Sequence, residues 1–533
     1  MAPAAPRCRP ARRPLHRARG PRHEHRRDRP RVADGHHSRG DPMKQHDTVL
    51  VVGAGPCGLA VAAELRRLGV QVTIVDSEPV AGTGSRAILL WPPVLEVLDE
   101  LGVGATARET GLQPQALSYH LGTGRTVRVG LGAENAPLLL PQERTSALLE
   151  QALVRYGGAV ERGIRITKVV QHDDSVAASA LHPDGTTTDF EADWLIAADG
   201  LRSQVREQLG VPFEGEQLPT TFLLAEGRLE GDIGRDSIHY FLGETGVVLV
   251  APLPGGEFRI SGAIPEGTQV STAQVQRLLD ERGPGGLRVG ELRALSTFVS
   301  HERAAGTLHT GRAFLLGDAA HVHSAIGGQG LNLGIQDARN LAWKLAGVVH
   351  GRFAPVVLRS YEAERRVAIR QTLATTGRMA RQAVAGPLAR RVRDVVWGGL
   401  EAVGAMDRWW APLLAGWRSR YPDVLLGEER HAHWSSAWRL SPRPGTRNPH
   451  LLPKPDDGLA GRFQLVTWGG PDCELARRGR ELAGDLPGVV AHFALGGRRE
   501  RFVLLRPDSY VAAAGGPADF TAARSLLDDL TTV

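Results

Sequence analysis

The 533-residue sequence has little of what several common protein classes depend on. Its three cysteines, Cys8, Cys57 and Cys473, lie far apart, which excludes a disulfide scaffold and a zinc ribbon and suits a reducing cytoplasm. No uninterrupted apolar run reaches about 18 residues, so the sequence predicts neither a transmembrane helix nor a membrane partner. Only four of the 64 basic residues are lysine, a bias that we attribute to GC-rich coding rather than to function.

Positive charge is in excess only at the start of the chain. The formal net charge is +6, but residues 1–42 hold twelve arginines and four acidic residues, which leaves −2 for the remaining 491 residues. A nucleic-acid-binding groove in the folded part is therefore not supported. Residues 1–42 are rich in Arg and Pro and have almost no large apolar side chains, so we expect a disordered tail or a start codon upstream of the true start at Met43. A functional basic arm is the alternative.

A glycine-rich motif follows the first predicted strand. Residues 48–52 form a short apolar run typical of a buried parallel strand, and GAGPCG at 53–58 leads into a helical pattern that Gly69 ends. A second predicted strand, residues 70–75, then ends at Asp76. This strand–turn–helix–strand order predicts a βαβ unit.

Each glycine of this motif has a physical reason. Gly53 permits the tight turn, Gly55 lets the backbone approach a pyrophosphate, and Gly58 lets the helix pack closely on the strand. The helix N-terminus faces the phosphates, and Asp76 accepts hydrogen bonds from ribose hydroxyls. The unit therefore predicts binding of a dinucleotide, either NAD or FAD; the alternative is a glycine-rich turn that only packs.

Two later segments place an aspartate at the carboxyl end of a predicted strand. WLIAADG at 194–200 ends in Asp199 and Gly200, and AFLLGDAA at 313–320 contains Asp318. Open α/β sheets bind ligands at this end of their strands, although each carboxylate is also explained as a helix N-cap or turn residue.

A second helix N-terminus follows a glycine-rich loop. The helix opens with Gly330, Leu331 and Asn332, and its free N–H groups are suited to stabilise negative charge on a reduced flavin ring. An ordinary glycine-rich cap is the alternative. His321 and His323 alternate just before this loop, but no third ligand is evident nearby, so we predict no metal site.

Together these segments resemble the class A flavoprotein monooxygenases, the single-component aromatic hydroxylases related to p-hydroxybenzoate hydroxylase. The resemblance runs from about residue 45 to 370, and the motifs that carry it are GAGPCG at 53–58, ADGLRSQVR at 198–206, GDAAH and GGQGLN within 317–332, and DARNLAWKLA at 337–346. RFVLLRPDSYVAA at 501–513 resembles the thioredoxin-like C-terminal domain of larger members. Cys473 is alone in that domain, so we interpret it as structural.

The resemblance implies an α/β fold. A Rossmann-like FAD-binding domain is interleaved with an antiparallel β-sheet substrate domain, and a thioredoxin-like C-terminal domain follows. The expected divisions are 1–42 for the tail; 45–117, 138–212 and 296–400 for the FAD-binding domain; 118–137 and 213–295 for the substrate domain; and 427–533 for the linker and the C-terminal domain.

The resemblance also implies the chemistry. FAD is bound non-covalently and reduced by NADPH or NADH, and its reaction with O2 gives a C4a-(hydro)peroxyflavin that oxygenates a small aromatic substrate. Members of this size often act on polycyclic aromatic polyketides in natural-product pathways. A simple phenol hydroxylase, a Baeyer–Villiger oxygenase and a non-oxygenating flavin reductase or dehydrogenase are the alternatives; a flavin halogenase is disfavoured because no WxWxIP segment occurs. Sequence does not fix the oligomeric state.

Site residues carry over from the family by motif. The one catalytic candidate is Arg86 in GTGSRA, placed to stabilise an anionic peroxyflavin, with a salt bridge to a phosphate or carboxylate as the alternative. At residues 324–326, Ser-Ala-Ile replaces the family's usual two prolines. The cofactor-binding candidates are Gly53, Gly55 and Gly58 for the pyrophosphate; Asp76 for the adenosine ribose; Asp199 for the pyrophosphate region; Asp318 for the ribityl or phosphate part; Gly330, Leu331 and Asn332 for the isoalloxazine; and Gln142 and Arg86 near the flavin.

Overall fold

The structure is a computed structural model that describes residues 47–82, 86–122, 124–243, 245–323, 327–383, 386–422, 425–426, 442–449, 451 and 459–532. The tail expected at 1–42 and the Ser-Ala-Ile segment at 324–326 lie outside the described residues. Within the described ranges, no helix has both the length and the apolar character that crossing a membrane requires.

The described elements comprise strands in four sheets and helices packed around them. The strands are β1 (Asp47–Val52), β2 (Val72–Asp76), β3 (Leu89–Leu90), β4 (Ala116–Leu121), β5 (Thr126–Gly130), β6 (Leu138–Leu139), β7 (Val160–Arg162), β8 (Arg165–Gln171), β9 (Val176–Leu181), β10 (Thr187–Ala197), β11 (Phe213–Glu230), β12 (Ser237–Gly243), β13 (Gly246–Pro252), β14 (Phe258–Ile264), β15 (Arg288–Ala305), β16 (His309–Thr310), β17 (Ala313–Leu315), β18 (His321–Val322), β19 (Phe463–Trp468), β20 (Val490–Leu495), β21 (Arg501–Leu505) and β22 (Val511–Gly515). The helices are α1 (Pro56–Arg67), α2 (Pro92–Glu100), α3 (Gly104–Thr110), α4 (Gly132–Asn135), α5 (Gln142–Arg155), α6 (Gln204–Gln208), α7 (Thr272–Arg282), α8 (Gly330–Val349), α9 (Arg359–Ala383), α10 (Pro387–Ala402), α11 (Ala411–Leu414), α12 (Glu474–Asp485) and α13 (Phe520–Thr531).

The first sheet brings the three sequence motifs to one edge. Its strand order is β16-β17-β10-β1-β2-β7, with β9 and β8 attached through β10. The neighbours β17, β10, β1 and β2 all run parallel. Because carboxyl ends of parallel strands meet at the same edge, the loops after β1, β10 and β17 converge there. The predicted βαβ unit is confirmed, with β2 starting two residues later than expected because residues 70–71 complete the turn after Gly69.

The second sheet is mainly antiparallel and is covered on one face by α7. Its order is β18-β15-β11-β14-β13-β12-β4-β5, in which only β12 and β4 pair in parallel. Buried apolar side chains of this face pack against Val275, Leu278 and Leu279 of α7. The expected domain boundary at 295/296 falls inside β15, because this strand pairs with β11 along almost its whole length. We therefore propose to assign all of β15 to the substrate domain.

The C-terminal sheet has the order β20-β19-β21-β22. β19 and β20 are parallel and joined by α12, whereas β21 and β22 add antiparallel strands before α13. This βαβ–ββα arrangement is the thioredoxin-like topology that the sequence predicts. The α/β fold class is thus confirmed in all three of its parts.

A buried ion-pair network joins α8 and α9 to the C-terminal domain. Lys344 Nζ lies 2.8 Å from Glu364 Oε2, and Arg506 Nη1 lies 2.5 Å from Glu364 Oε1. Arg506 also pairs with Asp508 at 2.7 Å. Burial alone would raise the pKa of Glu364, but the cations Arg506 and Lys344 outweigh it and lower that pKa to about 2. The network therefore holds an ionised carboxylate in the interface.

Candidate active site

The glycine-rich turn after β1 packs directly against the loop after β10. Gly53 has a φ of +101°, and a Cβ atom there would collide with the Ala198 carbonyl oxygen and lie 2.8 Å from Asp199 Cα. A Cβ at Gly58 would collide with the Gly53 carbonyl oxygen. Glycine is therefore required at both positions by close backbone approach. At Gly55, by contrast, no heavy atom of the described residues lies within 4 Å of a Cβ, so the front of the turn is open.

Cys57 connects the same turn to the loop after β17. A Cβ at Gly317 would lie 2.8 Å from Cys57 Sγ, and one at Gly334 on α8 would collide with that sulfur. Burial raises the pKa of the Cys57 thiol well above its ordinary value, and the charges of Asp318 and Asp337 add to the effect. The thiol is therefore a neutral packing group, and the three motifs form one contiguous wall.

Asp76 lies at the end of β2, where it fixes the glycine-rich turn. Its Oδ2 accepts a hydrogen bond from the Ala54 N–H at 2.5 Å, and its Oδ1 accepts one from the Glu78 N–H at 2.7 Å. A carboxylate has about four acceptor sites, so both oxygens keep capacity for a ribose hydroxyl. Its proposed role as a ribose ligand is compatible with this second role in the turn.

Asp199 combines a capping contact with an unsatisfied oxygen. Its Oδ2 accepts from the Val205 N–H at 3.1 Å in the first turn of α6. Its Oδ1 is buried and has no hydrogen-bond partner among the described residues. Burial raises the pKa of Asp199, although hydrogen bonds from Ser203 and Val205 oppose the shift. An orphaned buried acceptor beside Gly53 marks a position where a polar ligand group fits.

Asp318 projects into a recess behind the glycine-rich turn. Its neighbours Gly317 and Ala319 are buried while the Asp318 side chain remains open to solvent. Burial by the surrounding walls nevertheless raises the pKa of Asp318, and the charges of His321 and Arg86 oppose that shift. The structure thus brings Arg86, an exposed side chain, within electrostatic range of Asp318.

The N-terminus of α8 completes the recess. Gly330, Leu331 and Asn332 form its first turn, where N–H groups have no partner within the helix. The Asn332 side chain is already engaged, since Oδ1 accepts from the Trp91 N–H at 2.7 Å and Nδ2 donates to the Leu89 and Gly328 carbonyls at 2.8 Å each. The side-chain amide of Asn332 therefore holds the neighbouring loops, and its backbone N–H is the group left for a ligand.

Two side chains hold the segment that carries Arg86. Gln142 Oε1 accepts from the Ala87 N–H at 3.1 Å, and Arg259 Nη1 donates to the Arg86 carbonyl at 3.1 Å. Arg259 lies on β14 of the second sheet and is paired with the buried carboxylate of Glu226. The loop is therefore fixed from the FAD-binding side by Gln142 and from the second sheet by Arg259, a residue that sequence reasoning left without a role.

Asp337 on α8 is a further residue that the motif reading missed. Its Oδ2 accepts from the Gly317 N–H at 3.1 Å and lies 2.7 Å from His321 Nε2, and its Oδ1 accepts from Arg365 Nε at 2.6 Å. Burial would raise the pKa of Asp337, but Arg365 and His321 outweigh it and lower that pKa. The ionised carboxylate fixes the turn that presents Asp318. The sequence signal that could have located Asp337 is a charged residue within a predominantly apolar predicted helix.

Arg206 also serves the loop after β17. Its Nη1 donates to the Ala319 carbonyl at 2.9 Å, and its guanidinium stacks on Phe213 at 3.9 Å from the ring centroid. Arg206 is buried, whereas Arg202 in the same motif is exposed. Of these two arginines, only Arg202 is open to a ligand such as a nicotinamide cofactor.

The second sheet turns an apolar face toward the Arg86 segment. Ser261 and Ala263 lie on the same face as Arg259, because alternate residues of a strand share a face. Residues that pair directly on neighbouring strands also share a face. Through such pairs the face extends to Leu249, Tyr240, Phe222 and Phe298. We call the half-buried set on this face the platform; its members are Phe222, Tyr240, Leu249, Ser261, Ala263 and Phe298.

The platform is aromatic and partly open. The rings of Phe222 and Phe298 stack at 5.3 Å, and Tyr240 stacks on Tyr119 at 5.1 Å. On the opposite face of the sheet, buried apolar side chains pack against α7. Ile88, Leu89 and Trp91, just beyond Arg86, join the same hydrophobic cluster as this end of the sheet. The platform and the Arg86 segment therefore line the same side of the second sheet.

These residues fit a dinucleotide cofactor with a long polar linker. The front of Gly55 is open, Asp199 Oδ1 is an unsatisfied acceptor, and the Asp318 carboxylate is accessible within the recess. N–H groups at the starts of α1 and α8 supply two positive helix ends for negatively charged parts. Acceptors for hydroxyls and donors for phosphate and ring oxygens are thus present along one edge of the first sheet.

Comparison with known proteins identifies the architecture. Residues 46–376 match the protein family described as "FAD binding domain". The chain is 32% identical to 6-methylpretetramide 4-monooxygenase of Streptomyces rimosus, over 92% of this chain and 94% of that enzyme. It is 30% identical to pentachlorophenol 4-monooxygenase of Sphingobium chlorophenolicum, over 81% and 76% of the two chains.

A solved structure shares the whole fold. The anhydrotetracycline hydroxylase OxyS from Streptomyces rimosus superposes with a TM-score of 0.72 at 27% sequence identity. The match covers 91% of this chain and 99% of OxyS, so it includes the C-terminal thioredoxin-like domain.

Proposed function

Because this chain belongs to the FAD binding domain family of flavoprotein aromatic hydroxylases and is an FAD-dependent monooxygenase, we propose that its substrate is a polycyclic aromatic polyketide. One oxygen atom of O2 enters the product, and NADPH or NADH supplies the electrons. The observation that carries the substrate class is the aromatic platform opposite the Arg86 segment. The name of the 6-methylpretetramide 4-monooxygenase supports the same class.

Bound FAD supplies electron transfer from the nicotinamide and the activation of O2. In our proposal the turn at Gly53, Gly55 and Gly58 holds the pyrophosphate, with the N-terminus of α1 directed at its charge. Asp76 accepts from the adenosine ribose and Asp318 from the ribityl chain. Asp199 Oδ1, which is unsatisfied among the described residues, accepts a further donor in the pyrophosphate region.

The protein contributes electrostatics at the reacting end. The first-turn N–H groups of Gly330, Leu331 and Asn332 face negative charge on the flavin ring. Arg86 remains protonated throughout turnover and stabilises negative charge that develops near it during oxygen activation. Gln142 and Arg259 keep the Arg86 backbone in place, so that this charge is preorganised rather than mobile.

The platform orients the substrate and excludes water. Stacked rings and small residues form a flat surface, which favours a fused-ring system over a compact one. Ser261 is a small polar member and supplies a hydroxyl for hydrogen bonding to a phenol or quinone oxygen. In our proposal, a substrate ring that lies on the platform beside the Arg86 segment would present an aromatic carbon to the reactive end of the cofactor.

Filling the platform tests the size of the substrate. Leu249 is a half-buried member of the platform, so Leu249→Trp adds a larger ring to this face. We expect kcat/KM for three- and four-ring phenols to fall by about a hundredfold, as steric exclusion typically costs a few kcal/mol. The value for a single-ring phenol should change far less. Leu181→Trp, at an exposed leucine on β9 in the first sheet, is the control for the same substitution and should change neither value.

A single-ring phenol is the second candidate substrate. The similarity to pentachlorophenol 4-monooxygenase, whose name specifies a single-ring phenol, favours it. If that candidate is right, the wild-type protein will turn over halophenols faster than polycyclic phenols, and Leu249→Trp will not separate the two. Rapid oxidation of NADPH without oxygenated product would instead favour a reductase.

A further inference from the structure

We propose that the outward face of helix α10 is a surface at which two copies of this chain pair. The inward side of this helix carries Trp397, which packs edge-on against Tyr119, together with charged side chains. Arg393 and Asp394 are buried there and form an ion pair at 2.8 Å. Glu401 accepts from Arg125 Nη2 at 3.2 Å and from the Arg128 N–H at 2.7 Å. Surface helices of globular proteins ordinarily have polar residues on the outward side, whereas the outward side of α10 is also apolar.

The outward side of α10 is an apolar stripe along its whole length. Its spacing follows one face of a helix, with residues three or four positions apart. The α10 stripe consists of Leu388 (77% exposed), Val392 (56%), Val395 (75%), Val396 (49%), Leu400 (40%) and Val403 (67%). Scattered apolar residues are normal on a protein surface, but a contiguous stripe of this kind marks an interaction site.

The size of the α10 stripe fits a second copy. These exposed fractions correspond to roughly 600 Å² per chain, so two stripes would bury about 1,200 Å², the lower end of a specific interface. A surface that is apolar throughout is complementary to itself. In an isologous dimer the α10 stripes of the two chains meet across a two-fold axis, so no other surface of the chain is needed to form the interface.

Two adjacent glycines of α10, Gly398 and Gly399, differ in what surrounds them. A Cβ at Gly398 would collide with Arg125 Nη1, so packing within the chain explains that glycine. At Gly399, on the stripe side, the described part of the chain offers no heavy atom within 4 Å of a Cβ. Glycine destabilises a helix interior relative to alanine, so its presence needs a reason. A partner helix crossing at Gly399 supplies one, because only glycine lets two backbones come closest.

A membrane surface fits the same stripe less well. Interfacial helices expose large apolar residues on one side and basic residues on the other. Four of the six members of the α10 stripe are valine, and the Arg393–Asp394 ion pair is turned into the protein rather than toward a membrane surface. The acidic and basic side chains of residues 43–533 sum to −2, so outside residues 1–42 the chain has no net positive charge to attract an anionic bilayer.

Sedimentation equilibrium of the full-length holoprotein tests the proposal. We expect a wild-type dimer, and Val395→Glu should raise its dissociation constant about a hundredfold or more because a buried unpaired charge is costly. The matched control is Val154→Glu on α5, where a valine is 60% exposed outside the stripe; it should leave the dissociation constant unchanged. FAD content should be the same in all three proteins.

The variant Gly399→Leu distinguishes pairing with a second copy of the chain from binding to a membrane surface. If two helices pair, the added side chain pushes the backbones apart and should raise the dimer dissociation constant about tenfold. The melting temperature of the chain should not fall, because leucine is a better helix former than glycine. For membrane binding, the same change should strengthen attachment to phosphatidylglycerol vesicles. A wild-type protein that stays monomeric, a Val395→Glu dimer of unchanged strength, or vesicle binding increased by Gly399→Leu would each overturn the proposal.

Discussion

Three aspartates near one edge of the first sheet have pKa values shifted in different directions because their surroundings differ. Asp337 is kept ionised by Arg365 and His321, whereas burial raises the pKa values of Asp199 and Asp318. The division matches their proposed tasks. An ionised, fully paired carboxylate builds the loop, while the two under-satisfied carboxylates are left to accept hydrogen bonds from a cofactor.

At the scale of single residues, Asp318→Ala should weaken FAD binding. Loss of an acceptor leaves cofactor hydroxyls unpaired, which costs about 1–3 kcal/mol and raises the FAD dissociation constant about 5- to 150-fold. Fluorescence titration of the apoprotein measures the change. Asp232→Ala, at an exposed residue between β11 and β12, should bind FAD as the wild type does. An unchanged dissociation constant in a folded Asp318→Ala protein would reduce Asp318 to a turn residue.

Arg86→Ala should impair coupling more than FAD retention. Losing the positive charge should lower the ratio of product to NADPH consumed by about tenfold, which corresponds to about 1.4 kcal/mol. The excess NADPH should appear as hydrogen peroxide, and FAD occupancy should stay near that of the wild type. Arg86→Lys should recover part of the coupling, and Arg477→Ala, on exposed α12, should have no effect. Loss of FAD with normal coupling in the remaining holoenzyme would refute this role.

What the sequence predicted at this scale depended on distance along the chain. Gly53, Asp199 and Asp318 each follow a strand within a few residues, so a local pattern located them. Arg259 was missed because its contact with the Arg86 carbonyl spans 173 residues and depends on how two sheets pack. A motif carries no information about such a partner.

At the scale of elements, Glu364→Gln should loosen α8 and α9 from the C-terminal domain. The change leaves Lys344 and Arg506 partly uncompensated in a buried site, which costs about 3–5 kcal/mol. Because the folded pKa of Glu364 is lowered to about 2, its contribution is present above the ordinary pKa of about 4.5 and is lost as pH falls toward 2. Melting temperatures between pH 7 and pH 3 measure both effects.

The acid dependence separates this role from simple packing. Wild-type stability should fall more steeply below about pH 4.5 than that of Glu364→Gln, since only the wild type has this carboxylate to protonate. Glu481→Gln, in an exposed pair on α12, is the control and should leave the profile unchanged. Parallel profiles for wild type and Glu364→Gln would show that Glu364 does not hold the interface through its charge.

The bounds of helices and strands were predicted well from the sequence where a local pattern determines them. They were predicted less well where they depend on pairing with a strand that is distant in sequence. The turn between β1 and α1 and the start of α8 at Gly330 agree with the sequence prediction, because glycine position and helical spacing fix them. The ends of β15 were not foreseen, since an 18-residue strand depends on its partner β11. The apolar face that forms the platform also follows from register rather than from local composition.

At the scale of the whole molecule, removal of residues 1–42 should leave folding and turnover unchanged. The excess positive charge is in this segment, which has almost no large apolar side chains with which to bury surface. Melting temperature, FAD content and kcat/KM of the protein starting at Met43 should match those of the full-length chain. A clear loss of stability or activity would show that the segment docks on the enzyme.

The most direct test of the whole account is turnover under 18O2. The purified protein, reconstituted with FAD, is supplied with NADPH and a panel of three- and four-ring phenols and quinones. The masses of the products are then measured by mass spectrometry. We predict that one 18O atom enters each product molecule, that turnover requires FAD, and that single-ring phenols react more slowly. Failure of the protein to bind FAD, or consumption of NADPH with no 18O in any product, would contradict it.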